Sequence, residues 1–336
     1  MNSNALAQAA EAIKMPHSRY PIDLAWGVDT LLPHLAGLKR LALAAEYRSV
    51  LDQRNSAPDI SNVVGMARTL DEEPVLVSKL VRISMLNMAT KALEYRLNAA
   101  ASSDAELERL GKIFAESAKT NQIANGLVGE RAMMIRYFRM SHAEAEKLSG
   151  SDDENSPQKG GPPLPGDQPY FFKFTGLFER DLRFYLESME TTISLASTFP
   201  KNMLAISNSQ QQISETSRRN YYFLSSMFLP ALGNANVKEA NSVAQMRAAQ
   251  TALAVERFRL AHGQLPEKLD ELVSQYLSAV PEDPFDGQPL RYRRLDRGYV
   301  VYSIGPDGED NGGRERPADA KSTDKTHYDI TFTVER

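Results

Sequence analysis

The sequence predicts an α+β protein in two parts: an all-α helical domain over residues 1–232, then an α+β domain over 233–336 made of a long helix followed by short strands. Three observations carry this. Apolar residues in the first two thirds recur at steps of three and four, the period of a helix buried on one face. After Pro281 the period changes to two, as in half-buried strands. Near Gly233 the run of separate helical segments gives way to one long apolar stripe.

Leu31, Leu35, Leu38, Ala42 and Ala45 mark the first strong stripe. Leu76, Leu80, Ile83, Leu86, Leu93 and Leu97 mark a second, entered at Pro74, a residue suited to a helix start. Ser103 and Glu106 have the spacing of a capping box before Leu107, Leu110 and Phe114. Further helices are expected at about 122–148, 169–199 and 209–229. The segment 149–168, SGSDDENSPQKGGPPLPGDQ, is too rich in proline, glycine and charge to hold a core and reads as a flexible loop inside the helical domain. From Gly233 a helix of about 25 residues carries Val243, Met246, Ala249, Leu253 and Leu260 and stops at His262-Gly263, where glycine takes the left-handed C-terminal position. Pro266 opens a short helix that turns Leu269, Leu272, Val273 and Tyr276 inward. Three strands follow, in LRYRR from Leu290, YVVYS from Tyr299 and ITFTV from Ile330. Asp283-Pro284-Phe285-Asp286-Gly287 is a structural turn that sets Phe285 beneath the sheet.

A formal net charge of −4 gives no basic excess for nucleic acid or an anionic membrane surface. The absence of cysteine excludes disulfides, thiolate metal sites and thiol nucleophiles. No run of about 18 apolar residues is present to span a bilayer. Residues 1–14 have the character of an amphipathic helix, with neither the basic start nor the apolar centre of a signal peptide. The expectation is a chain that is either cytoplasmic or anchored through a segment outside this sequence.

The C-terminal third, about 236–334, carries HGQLP at the end of the long helix, then VPEDPFDGQPLRYR, GYVVYSIGPDGEDNGG and finally YDITF. This order resembles the soluble head of the major pseudopilins of type II secretion systems. The resemblance implies a helix packed on a small sheet, an extracytoplasmic place in the periplasm or cell envelope, and a calcium ion held by two aspartates and main-chain carbonyls. Residue by residue, the ligands fall on Asp307 and Asp329, with carbonyls from Ile304 and Pro306 and a weaker candidate at Thr331. Gly312 to Lys325 is an insertion relative to the family, so Asp310, Asp319 or Asp324 are alternatives for the second aspartate. The chemistry is independently suited: calcium takes six to eight oxygens, and the segment Gly305–Gly313 offers carboxylates on a backbone that glycine lets curl. The chain lacks the family's apolar N-terminal helix, so only the head is shared.

Other constellations carry less. His142 and Glu146 share a helix face, and Glu187 and Glu190 lie three apart on another, but neither completes a di-iron or zinc-protease pattern, and charged helix faces explain them. His17, His34 and His262 sit beside turns or helix ends, and His327 near Asp329 reads as an exposed strand residue. Trp26, Tyr170-Phe171-Phe172-Phe174 and Tyr221-Tyr222-Phe223 read as core packing rather than a contact patch. The arginines of Arg291-Tyr-Arg-Arg read as a solvated edge strand. The function expected from all this is a non-enzymatic bacterial envelope protein with a calcium-binding head, working through protein contact or assembly. The alternatives are a hydrolase with its site between helical domain and head, near His142, Glu146 and Glu187, and a scaffold of stacked helical hairpins.

Overall fold

A computed structural model describes residues 3–52, 56–119, 122–139, 176–197, 203–317 and 328–336. Among them the helices are α1 (Ser3–Ala12), α2 (Pro33–Leu51), α3 (Ala57–Arg68), α4 (Leu76–Ala99), α5 (Asp104–Lys119), α6 (Ile123–Arg139), α7 (Leu177–Ser197), α8 (Met203–Arg219) and α9 (Phe223–His262). Single 3-10 segments stand at Leu24–Asp29 and Leu269–Leu272. The strands are β1 (Arg291–Leu295), β2 (Gly298–Ser303) and β3 (Ile330–Val334). The architecture is α+β, with a helical region followed by a three-stranded sheet packed on a long helix. The expected loop 149–168 lies outside the described residues.

The long helix differs from its expected form. It begins at Phe223 and runs 40 residues, through Pro230 and past Gly233, to His262. The expected domain boundary at 232/233 therefore falls inside one continuous element. Tertiary partners explain why the local breakers do not break it. Gly233 is buried against the side chain of Gln210 from α8. The start of α9 has no cap of its own, and Asp181 of α7 provides one: its carboxylate accepts N–H bonds from Leu224 at 2.9 Å and Ser225 at 3.2 Å, and the Ser225 hydroxyl at 2.5 Å. The end is as expected, with Gly263 left-handed at φ 72° and its N–H donated to Arg259 O.

The two halves of α9 serve different cores. Leu224, Leu229, Leu232 and Ala235 pack with residues of α6 and α7, and with Leu76 and Ile83 of α4. Met246, Ala249, Leu253 and Phe258 pack with residues of α2 to α5 and with the sheet in a second core. The helices at the start of the chain thus share their core with the C-terminal sheet. Alanines at 248, 249, 252 and 254 are buried on α9, and their small side chains let α5 and the sheet approach closely. Between the two cores lies a buried polar junction. Lys79 Nζ donates to Leu70 O at 2.8 Å and Asp71 O at 2.7 Å, Arg82 Nε meets Asp71 at 2.6 Å, and buried Glu239 of α9 accepts from Gln122 N at 3.5 Å. Burial pushes the Lys79 ammonium down to about 8 despite the nearby acids, and pushes the Glu239 carboxyl up.

The sheet order is β1-β2-β3, antiparallel throughout, with Arg291 opposite Tyr302 and Tyr299 opposite Val334. Tyr299, Val301, Phe332 and Val334 form the face turned to α9, and the Tyr299 hydroxyl donates to Ala252 O at 3.1 Å. The expected helix after Pro266 is only the 3-10 turn Leu269–Leu272, although Leu269 and Leu272 are buried as expected. Four residues carry too few helical bonds to continue alone. Phe285 packs against Ala240 of α9, not beneath the sheet. The outer edge of β3 is sealed by α4: Thr333 N–H donates to Glu94 at 2.7 Å, Asn98 Nδ2 donates to Thr333 O at 2.9 Å, and Glu335 N–H donates to Asn98 Oδ1 at 2.7 Å.

A Cβ at Gly129 of α6 would lie 1.6 Å from Pro74 O, whereas one at Gly111 of α5 meets nothing within 4 Å. Gly129→Ala should therefore lower stability by about 2 kcal/mol and Gly111→Ala raise it by about 0.5–1 kcal/mol in urea unfolding. Burial raises the Glu94 carboxyl from 4.5 to about 7, with Glu315 adding to the rise and the Thr333 N–H and Lys91 opposing it. A raised folded pKa favours the protonated form, so stability falls as pH climbs through the window between those two values. Glu94→Gln should therefore stabilise by about 1–3 kcal/mol at about pH 8 and be near neutral at about pH 4, as melting curves at the two pH values would read.

Candidate functional site: the acidic loop over the sheet

The chain leaves β2 under the control of Asp283, a fully buried carboxylate in the turn before β1. Its Oδ1 accepts from Phe285 N at 3.0 Å and Ser303 Oγ at 2.8 Å; its Oδ2 accepts from Ile304 N at 2.9 Å and Arg291 Nη1 at 3.0 Å. Four donors satisfy the four lone-pair positions, which is what lets an ionised carboxylate stay in the interior. Asp283 also closes its own turn, with its N–H on Gln288 O at 2.6 Å and its O accepting from Gly287 N at 2.9 Å.

From Ile304 the loop bends sharply. Gly305 and Gly308 have φ of 73° and 75°, and Gly308 N–H donates to Gly305 O at 3.3 Å. Asp307, half-buried, accepts Glu309 N–H at 3.2 Å; Asp310, exposed, accepts Gly312 N–H at 2.9 Å. The loop then folds back across the face of the sheet opposite α9. Gly313, at φ 76°, lies so close that a Cβ would stand 3.0 Å from Val300 and 3.1 Å from Tyr302.

Asp329, buried just before β3, ties this loop down. Its Oδ1 accepts from Asn311 N at 3.2 Å, its Oδ2 from Gly313 N at 2.7 Å and Arg314 N at 3.2 Å, and its own N–H donates to Arg314 O at 3.0 Å. Burial raises the Asp329 carboxyl above the ordinary aspartate range against the pull of those three amides, and the charge of Asp310 adds to the rise. Burial, with Asp310 and Asp329 adding, pushes Tyr302 up to about 12.

The expected ligand residues are thus distributed as follows. Ile304 is buried directly after β2, Pro306 is exposed in the turn, Asp307 and Asp310 bond to amides of their own loop, and Asp329 anchors the loop from beneath. Thr331 is half-buried on β3, and Asp319 and Asp324 lie outside the described residues. Among the described residues no three acidic or imidazole side chains gather as a metal site. Three of the four lone-pair positions of Asp329 already hold backbone N–H groups, and Asp310 Oδ2 faces the Arg291 guanidinium at 3.4 Å. A calcium ion would have to displace amides or share a carboxylate with an arginine. Among the described residues the donors so arranged do not fit the ion.

Sequence reasoning missed Arg291. It is half-buried rather than solvated, with Nη1 on Asp283 at 3.0 Å and Nη2 on Asp286 at 2.5 Å. Its signal was the spacing of Asp283, Asp286 and Arg291 around a tight turn. Arg293 and Arg294 are exposed, as an edge strand predicts. Glu187 pairs with Arg183 at 2.8 Å and Glu190 with Arg131 at 2.5 Å, both at the surface. His142, Glu146, His327 and the aromatic cluster 170–174 lie outside the described residues. His34 meets Glu73 at 2.8 Å and stacks on Tyr20, His17 meets Glu72 at 2.7 Å, and His262 rests on Phe258. Trp26 and Tyr221 are largely exposed, not core residues; Trp26 sits in the 3-10 segment beside Gly27 at φ 61°, and Tyr221 is itself left-handed at φ 57°.

The chain matches no protein-family model, no curated protein and no solved structure. Asp329→Ala should orphan three loop amides and cost about 3 kcal/mol, read by urea unfolding, whereas Asp307→Ala, removing one turn bond of a half-buried side chain, should cost about 1 kcal/mol or less.

Proposed function

We propose that this is a non-enzymatic protein of the bacterial envelope that works by docking a helix of another protein against α2. The observation that carries the reading is the outer face of α2. Leu43, Tyr47 and Leu51 follow one another at four-residue steps and are 37%, 57% and 82% exposed, while Leu35, Ala42 and Ala45 hold the opposite face in the core. Apolar residues at that spacing on a solvent face form a seam into which a second amphipathic helix fits. Exposed Leu31 precedes the same helix. Support for the envelope comes from the pseudopilin-like order of motifs over 236–334. Among the described residues no helix is long and apolar enough to cross a membrane, so attachment there would run through the partner or through a segment outside the structure.

Photo-crosslinking in the native cell tests this. A photoreactive aromatic at Tyr47 should yield adducts to one discrete protein, lost when Leu51→Glu is added; the same probe at Lys112, exposed on α5, should yield none. Equal labelling from both positions, or none from Tyr47, would overturn the reading.

A further inference from the structure

The resemblance assigns the closing of the acidic loop to a bound cation, yet this chain sets a cation of its own, Arg291, against Asp310, one of the aspartates offered as a ligand in that loop. Arg291 opens β1, and its side chain lies between two segments that are separate in sequence. On one side are the turn acids, Asp283 Oδ2 at 3.0 Å from Nη1 and Asp286 Oδ2 at 2.5 Å from Nη2; on the other is Asp310 Oδ2 of the acidic loop, 3.4 Å from Nε. All three edges of the guanidinium fork are thereby used, each toward a different carboxylate, an arrangement its planar geometry suits and a lysine cannot reproduce. The site is only partly open to solvent, with the Arg291 side chain 22% exposed and that of Asp283 fully buried, so the charges are weakly screened. Burial alone would raise Asp286; the bond from Arg291, with the Gln288 amide, holds it below the ordinary aspartate value.

We propose that Arg291 takes the place of the metal: it clamps the 283–287 turn to Asp310, and with Asp329 seated on the amides of Asn311, Gly313 and Arg314 it closes the loop over the sheet without calcium. The two halves of the lock are complementary. Arg291 neutralises acids that would otherwise repel one another across the loop mouth, and Asp329 supplies the carboxylate on which the amides of Asn311, Gly313 and Arg314 rest. The head is then held in one form irrespective of the divalent-ion supply around it, and added calcium does not switch it.

The experiment uses the full chain and reads amide hydrogen exchange over 305–316 together with the melting temperature. Wild-type protein stripped with EDTA should keep the loop protected, and neither stripping nor millimolar calcium should move its melting temperature. Arg291→Gln should speed exchange at Gly313 and Arg314 by about tenfold or more, with Arg291→Lys falling between the two. Calcium should not restore either variant. Because Arg291→Gln removes a partner of a buried acid, Asp310→Asn provides the second arm: it alters only the exposed partner, and should open the loop while the melting temperature stays near that of the wild type. Loop protection that depends on calcium in the wild type, or that survives both Arg291→Gln and Asp310→Asn, would overturn the proposal.

Discussion

Everything else in this structure is positioned by the continuity of α9. Forty residues at 1.5 Å per residue make a rod about 60 Å long, longer than a single small core can cover. The molecule resolves this by building two cores on it in sequence, one from α6 and α7 and one from α2 to α5 with the sheet. With the helix intact, the orientation of the sheet is set by the same element that organises the first core. The junction between them is where the chain buries Lys79, Arg82 and Glu239, charges that need one another because none meets water there.

A second constraint runs through the whole chain: backbone N–H groups at the starts of segments are satisfied by buried carboxylates borrowed from elsewhere. Glu130 of α6 reaches Leu76 N at the start of α4 at 3.3 Å, Asp181 reaches the start of α9, Asp283 receives the chain leaving β2, and Asp329 receives the amides of the acidic loop. Neither Val75 nor Tyr222, the residues before α4 and α9, makes a side-chain cap. An unpaired buried N–H costs as much as a lost hydrogen bond, so each of these acids determines where a segment can begin. Burial raises Glu130, Asp181 and Asp329 while the amides pull them down, the balance expected of carboxylates kept inside for the backbone's sake.

This explains which features were legible in the sequence. Strands, the helix end at Gly263 and the stripes of α2 and α4 are local, set by period and by single residues such as glycine at a left-handed position, and they stand where expected. The start of α9 was not legible, because Pro230 and Gly233 are breakers by local rule and the forces that override them come from Asp181 and Gln210 in other helices. The same holds in the candidate site. Asp307 and Asp329 stood out through the pseudopilin-like order of motifs around them, and Asp307 also through its flanking glycines, but which donors a carboxylate meets is decided by how the loop returns over Val300 and Tyr302. Arg291 reads as an edge arginine until Asp283 and Asp310, eight residues before it and nineteen after it, are brought to its two sides.

The two edges of the sheet show how the parts constrain any partner. Glu94 and Asn98 occupy the backbone groups of Thr333, so β3 offers no template for another strand, and the helical region is what closes it. The opposite edge is β1, where Arg293 and Arg294 are exposed; Arg294 is paired with Glu267, and a neutral strand approaching there would meet the exposed guanidinium group of Arg293. Strand addition is thus discouraged on both sides by different means. The uncommitted apolar surface lies instead on the helices, along α2, whose inner face is fixed in the core shared with the sheet. α2 packs on α4, the helix whose Glu94 and Asn98 seal the sheet edge, so the outer face of α2 and the end of the sheet are built on the same element.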